Sequence, residues 1–266
     1  MLIQELIDIL YEGVFYRMDP TWDKIIVGSA DRAFHKVGVC FKLTAELIQK
    51  ASKAGMDFII CHEAVFGNCG DDPSLFGRIE KKKHQMLVDS GITVFRYHDH
   101  AHNRENDYIC DGFIKALCLD VEKLPHKPGT RQTRYILKQN MTAGEIAKLA
   151  KSTLGLQNVR LAGNKDQTVK TLYLALGAMR HQDVMDRFET DFDLLIAGEI
   201  GAPYGAELYT PEIIRDAHFF GEPKNLLLLG HCGAEYVGMR YLAELLQQRG
   251  IDATYLHCTE PYERID

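Results

Sequence analysis

Gly230-His231-Cys232-Gly233-Ala234-Glu235 follows the apolar run Leu226–Leu229 and opens a helical pattern through Leu245. If the run is a buried strand and the helix begins near Cys232, His231 and Glu235 fall one turn apart and can face one cation. Such a pair is half of a metal site. Two other apolar runs end in similar chemistry: Phe58-Ile59-Ile60-Cys61 leads into His62-Glu63, and Ile92–Tyr97 leads into His98-Asp99-His100-Ala101-His102. In an extended backbone His98, His100 and His102 share a side, and in a helix His98 and His102 do, so these two can point together in either case. Ligands of open α/β sheets collect at the carboxyl ends of strands, and three strand ends carrying His and carboxylate could converge on one crevice.

Imidazole suits zinc, iron, copper or nickel, and a bridging carboxylate lets two cations sit close together. Glu235 is the candidate bridge. His62, His102, His231 and Glu235, joined by Glu63 or His98, exceed the four ligands of a structural zinc, which points to two ions. The expected cofactor is therefore one or two divalent ions per chain, with zinc, iron or manganese the leading candidates. Glu199 stands one residue past a further strand end and reads as a proton-transfer group, as a partner that orients a ligand, or equally as a cap of the following segment. No GxSxG motif is present and the thiols show no catalytic motif. Chemistry is expected to run through metal-bound water, whose pKa a cation lowers from 15.7 to about 7, with Glu63 or Glu199 moving the proton. The remaining histidines, and Cys61 and Cys232 beside the proposed ligands, read as packing or surface residues. Tyr204 and Tyr209 read as part of a packed loop.

These residues need elements to hold them. Leu2, Ile3, Leu6, Ile7 and Leu10 have helical spacing, and Ile25–Val27 reads as a short strand. Val37–Phe41, a helix from Ala45 to Ala54 capped by Thr44, and Asp57–Cys61 form a βαβ unit ending at His62. The pattern repeats as a helix over Arg78–Ser90, a stop at Gly91 and a strand over Ile92–Tyr97, after which Asn106–Leu117 reads as a helix. Val121 to Thr133 holds two prolines and a glycine without hydrophobic period, and reads as a domain boundary or hinge. Beyond it come strands at Arg134–Leu137, Val159–Ala162, Val169–Leu176 and Leu194–Ala197, and helices over 142–154, 183–188 and from Pro211 to about Gly221. A β-α-β passage of Leu226–Leu229, Ala234–Gln248 and Ala253–Leu256 closes the chain. The expected class is α/β, two lobes with mixed sheets and a metal cleft between them. The expected division is 1–125 and 126–225 as lobes, with 226–266 as the passage that completes the cleft.

The chain has 266 residues, 46% of them hydrophobic, enough for real cores. A net charge of −6, with no basic block beyond Lys81-Lys82-Lys83, gives no electrostatic footprint for nucleic acid. No apolar run approaches the ~18 residues of a membrane span and no signal-peptide layout is present, so a cytoplasmic location is expected. The seven cysteines contain no CxxC pair, which fits reduced thiols.

At Asp57–Glu63, Val94–His102 with Asn106-Asp107, Leu194–Glu199 and Gly230–Glu235, the sequence resembles the Nif-three-like family of dinuclear-metal proteins, also described as type 2 homologues of GTP cyclohydrolase I. The match is spread over most of the chain, and its last motif is the most specific. The resemblance implies metal ligation by His62, His231 and Glu235. His102 stands where the family's bridging Asp is expected and Glu63 where its second His is expected. Ala202-Pro203-Tyr204 lacks the His expected near Glu199. The resemblance further implies a compact two-lobed protein assembled as a hexameric ring. The function expected is a metal-dependent hydrolase acting on a small phosphoester or cyclic amide or amidine, with the cyclohydrolase label coming from resemblance only. The alternative is a non-catalytic metal-binding protein that regulates, stores or delivers metal.

Overall fold

Ile3, Leu6, Ile7 and Leu10 form one apolar stripe, and helix α1 (Ile3–Leu10) buries all four. The computed structural model describes residues 1–188, 190 and 192–258. After α1 the chain forms β1 (Lys24–Val27), β2 (Val37–Cys40), α2 (Ala45–Lys53), β3 (Phe58–Cys61), α3 (Arg78–Ser90), β4 (Thr93–Arg96) and the single turn α4 (Asp99–His102). Thr44 caps α2 by accepting the Leu47 N–H at 3.2 Å. β2, β3 and β4 are parallel and buried throughout, β3 as an unbroken apolar run and β4 with Thr93 and Arg96 buried beside Val94 and Phe95. Cys40 is level with Cys61 and Cys61 with Arg96, so β2, β3 and β4 end together. His62 and His98 therefore leave the same edge of the sheet.

The chain continues through α5 (Tyr108–Ala116), β5 (Val121–Lys123), β6 (Thr133–Thr142), α6 (Ala143–Thr153), β7 (Arg160–Ala162) and β8 (Thr168–Arg180). Then come α7 (His181–Phe188), β9 (Leu194–Ala202), α8 (Ala206–Phe219), β10 (Asn225–Leu228), α9 (His231–Gln248) and β11 (Ala253–Tyr255). Two mixed sheets result, ordered β1-β4-β3-β2-β11 and β5-β6-β8-β9-β10-β7. In the second sheet β8, β9 and β10 are parallel and the outer strands antiparallel. Met179, Val184, Phe192, Leu195, Ile200 and Ile214 are among the side chains of its buried core, which α7 and α8 cover. A capping box opens α6: Thr142 Oγ1 accepts the Glu145 N–H at 3.2 Å and Glu145 Oε2 accepts the Thr142 N–H at 2.8 Å. Among the described residues no helix is long and apolar enough to cross a membrane.

Contacts divide the chain into two compact units, 1–108 with 238–258, and 109–237. These bounds differ from 1–125, 126–225 and 226–266, and residues 259–266 of the last segment lie outside the described residues. The prolines and glycine of 121–133 do not make a hinge between units. Val121–Lys123 instead pairs as β5 with β6, because extended residues beside a long strand can satisfy their backbone groups there. The strands of the closing passage also part company, β10 joining one sheet and β11 the other. β9 runs five residues beyond Ala197, so Glu199 lies inside a strand and not after its end. α8 starts one turn before Pro211, at Ala206, where the Leu208 and Tyr209 N–H groups bond back to Gly205. Tyr204 is fully exposed and so packs no loop.

Candidate metal centre

His62 follows β3, His98 follows β4, and the turn of α4 brings His102 back over both. The ring centroids of His62 and His98 are 4.5 Å apart, those of His62 and His102 5.3 Å, and those of His98 and His102 5.6 Å. All three side chains are buried, and one ligating nitrogen from each lies within 4.8 Å of the others. The helical alternative for 98–102 is the one adopted.

The hydrogen bonds of these rings decide what they can do. His62 Nδ1 is 3.1 Å from the Tyr97 carbonyl oxygen, His98 Nδ1 3.0 Å from Asp99 Oδ1, and His102 Nδ1 3.1 Å from Asp107 Oδ2. A carbonyl or carboxylate oxygen accepts here, so each Nδ1 carries a proton, and Nε2 is the nitrogen through which each ring would ligate a cation. Three histidines that each give Nδ1–H to an oxygen and bring one ligating nitrogen within 4.8 Å of the others form the arrangement of imidazole ligands around a cation. The donor set therefore fits a divalent metal of the borderline class. Asp99 also accepts from Thr21 Oγ1 at 2.9 Å and the Trp22 N–H at 2.8 Å, so the carboxylate beside His98 is itself held in place. His100 turns away, its Nε2 accepting the Met18 N–H at 2.8 Å. Glu63 supplies a carboxylate, with Oε1 3.6 Å from His98 Nε2.

Cys61, next to His62, donates to the Glu63 carbonyl at 3.0 Å. Its neighbour Cys40 has a thiol pushed well above its usual pKa by contact with Cys61 and by burial, which keeps it protonated. Both thiols are fully buried, and Cys61 sits as the packing residue expected of it.

In the other unit the chain turns at Gly230 into α9, and His231 is its first residue. His231 Nδ1 lies 3.1 Å from Glu199 Oε1 and its Nε2 3.2 Å from Glu235 Oε2, so one imidazole sits between two carboxylates. Glu235 is buried and Glu199 is half-exposed. A side chain at Gly177 would put its Cβ 3.0 Å from Glu235 Oε1 and 3.5 Å from His231 Nε2, so the bare glycine of β8 leaves room for the pair. Glu199, placed on β9 beside Ala178 of β8, holds the His231 ring. Asp107 and the Tyr97 carbonyl are the functional partners that sequence reasoning missed. In the sequence Asp107 stands out as a helix start and as part of the family resemblance but not as a partner of His102, and its spacing from His102 is the available signal.

The profile of the Duf34/NIF3 (NGG1p interacting factor 3) family matches residues 1–260. The chain is 24% identical over 260 residues to a Clostridium perfringens protein named GTP cyclohydrolase 1 type 2 homolog, covering 94% of this chain and 92% of that one. Among solved structures it resembles Staphylococcus aureus protein SA1388, with a TM-score of 0.76 at 19% identity over 100% of this chain and 99% of that one. It also resembles reduced HcgD from Methanocaldococcus jannaschii, with a TM-score of 0.73 at 18% identity over 96% of each chain. These structural likenesses concern the fold. With its two mixed sheets, its histidine cluster and a match that spans nearly its whole length, the chain belongs to the Duf34/NIF3 (NGG1p interacting factor 3) family.

Proposed function

We propose that the protein is a metal-dependent hydrolase of a small phosphoester or cyclic amide or amidine, holding one or two divalent ions through His62, Glu63, His98, His102, His231 and Glu235. Zinc, iron and manganese are the candidate ions. The observation that carries the reading is the grouping of His62, His98 and His102, each with Nδ1 directed at an oxygen and one ligating nitrogen within 4.8 Å of the others. The name borne by the Clostridium perfringens relative supports cyclohydrolase-type chemistry. A bound divalent cation acidifies water and stabilises negative charge developing on oxygen. Glu63 Oε1 takes the proton from the attacking water and returns it to the leaving group, and Glu199 keeps His231 in register through Nδ1. Glu235 would offer the ions a buried carboxylate beside His231, and with two ions it would be the candidate bridge. The substrate is a small molecule, nucleic acid has no place in the reading, and the protein works in the cytoplasm.

We further propose the hexameric assembly of the family resemblance. Phe219, Phe220 and Leu208 are large apolar side chains left exposed on one chain, and covering such surface is favourable. Light scattering of the purified protein is expected to give six chains, and a monomer sinks this assignment.

Metal content per chain tests the centre, measured by elemental mass spectrometry on protein prepared anaerobically without chelator or affinity metal. Two equivalents are expected, both reduced in Glu235→Ala. One equivalent would remove the second ion from the reading, and none would remove the centre. Metal-loaded protein that turns over no phosphoester, nucleotide or cyclic amide would favour the non-catalytic alternative, a metal storage or delivery protein.

A further inference from the structure

We infer that Asp23 is a positioning residue for the histidine cluster, clamping α4 so that His98 and His102 face His62. Four N–H donors converge on its buried carboxylate. Oδ1 accepts the backbone N–H of His98 and of Asp99, both at 2.7 Å. Oδ2 accepts the His100 backbone N–H at 3.2 Å and the His100 ring at Nδ1, 2.7 Å away. The proton on that ring is fixed at Nδ1, because Nε2 accepts the Met18 N–H. One carboxylate thus fixes three successive backbone amides and, through His100, a fourth point on the same turn.

The placement of Asp23 is a matter of strand register. β1 is antiparallel to β4 with Lys24 level with Arg96, which sets Asp23 beside the residues that leave β4. β1 itself contributes no fully buried side chain. What it delivers is this carboxylate, together with Thr21 and Trp22, which hold Asp99 and through it His98. A turn of four residues has little stability of its own. Without the clamp His98 and His102 lose the fixed spacing that a cation would need, because a charged acceptor of several N–H groups is strong and its loss leaves those donors buried.

The test is Asp23→Asn, whose amide turns an NH2 toward backbone N–H donors while keeping nearly the same volume. Two readouts apply. The first is affinity for Co2+ and for Zn2+ alone, by competition with a chromophoric chelator. This readout rests on the metal-centre reading, and a loss of about tenfold or more is expected, the scale seen when partners of metal ligands are removed. The second needs no metal: 15N-histidine spectra of the metal-free chain, in which the Nδ1–H signals of His98 and His102 are expected to exchange slowly in the wild type and rapidly in the variant. Ile48→Ala, a core change in α2 away from the clamp, is expected to lower stability while leaving both readouts unchanged. Wild-type affinity in folded Asp23→Asn, or retention of both slow signals, overturns the inference. If Asp23→Asn does not fold, His100→Gln takes its place. It removes one of the four donors and is expected to weaken binding severalfold and speed exchange, and no change in either overturns the inference. A wild-type chain that binds neither ion defeats the metal reading alone, and the exchange of the two imidazole protons then decides on the clamp.

Discussion

Replacing His62 with alanine is expected to abolish retention of the divalent ion while the first sheet stays folded. His62 is buried at the centre of the trio, with both His98 and His102 within 5.3 Å of its ring centroid. Removing a partner of a metal ligand costs about 10–100-fold in affinity, and removing the ligand itself should exceed ~100-fold. The fold also pays something, since the Tyr97 carbonyl loses its imidazole partner, a cost of about 1–3 kcal/mol. Co2+ competition and elemental analysis check the first effect, and thermal unfolding of the metal-free chain checks the second. His35→Ala, at an exposed ring, serves as the comparison and should retain its metal. Unchanged metal content in His62→Ala would remove His62 from the ligand set.

Gly198→Ala is expected to destabilise the second unit strongly. Its Cβ would overlap the Leu176 carbonyl oxygen and stand 2.9 Å from both the Gly177 carbonyl oxygen and His231 Cα. Every obstacle is backbone, so no side chain can swing aside. Either β8 and β9 part or the start of α9 lifts. Overpacking costs about 1–3 kcal/mol where side chains can adjust, and this site belongs at or above the top of that range. For a chain of this size that corresponds to a fall of roughly 6–12 °C in melting temperature. The same shift would move His231, so metal retention should fall with it. A melting temperature within about 2 °C of the wild type would show that the strands accommodate the methyl group.

Gly198 also illustrates what was legible in the sequence. The Gly-Glu pair was readable as a strand-end motif, yet the glycine serves close approach of α9, and the strand continues through Glu199 to Ala202. Periodicity could place Leu194–Ala197 because those residues are apolar. It could not see that a polar residue stays in the ladder when its backbone has a partner in β8. The βα repeats of the first unit were readable for the same reason that they fold: unbroken apolar runs, Thr44 as a cap and Gly91 as a stop. Within the histidine run, spacing alone paired His98 with His102. The departure of His100 depends on Asp23 and Met18, some 80 residues away in sequence, and no local pattern encodes that. β5 and the position of β11 likewise depend on which strand offers a free edge.

The return of β11 to the first sheet has a consequence for how the protein is made. Residues 1–108 emerge first, but their sheet is finished only when Ala253–Tyr255 pairs with Val37–Val39. Until then β2, apolar and buried along its length in the finished fold, presents an open edge to the crowded surroundings of the ribosome. Synthesis therefore has a vulnerable interval spanning more than half the chain, in which chaperone shielding of that edge matters most. A premature stop after the second unit yields a chain prone to edge-to-edge association and no smaller working protein.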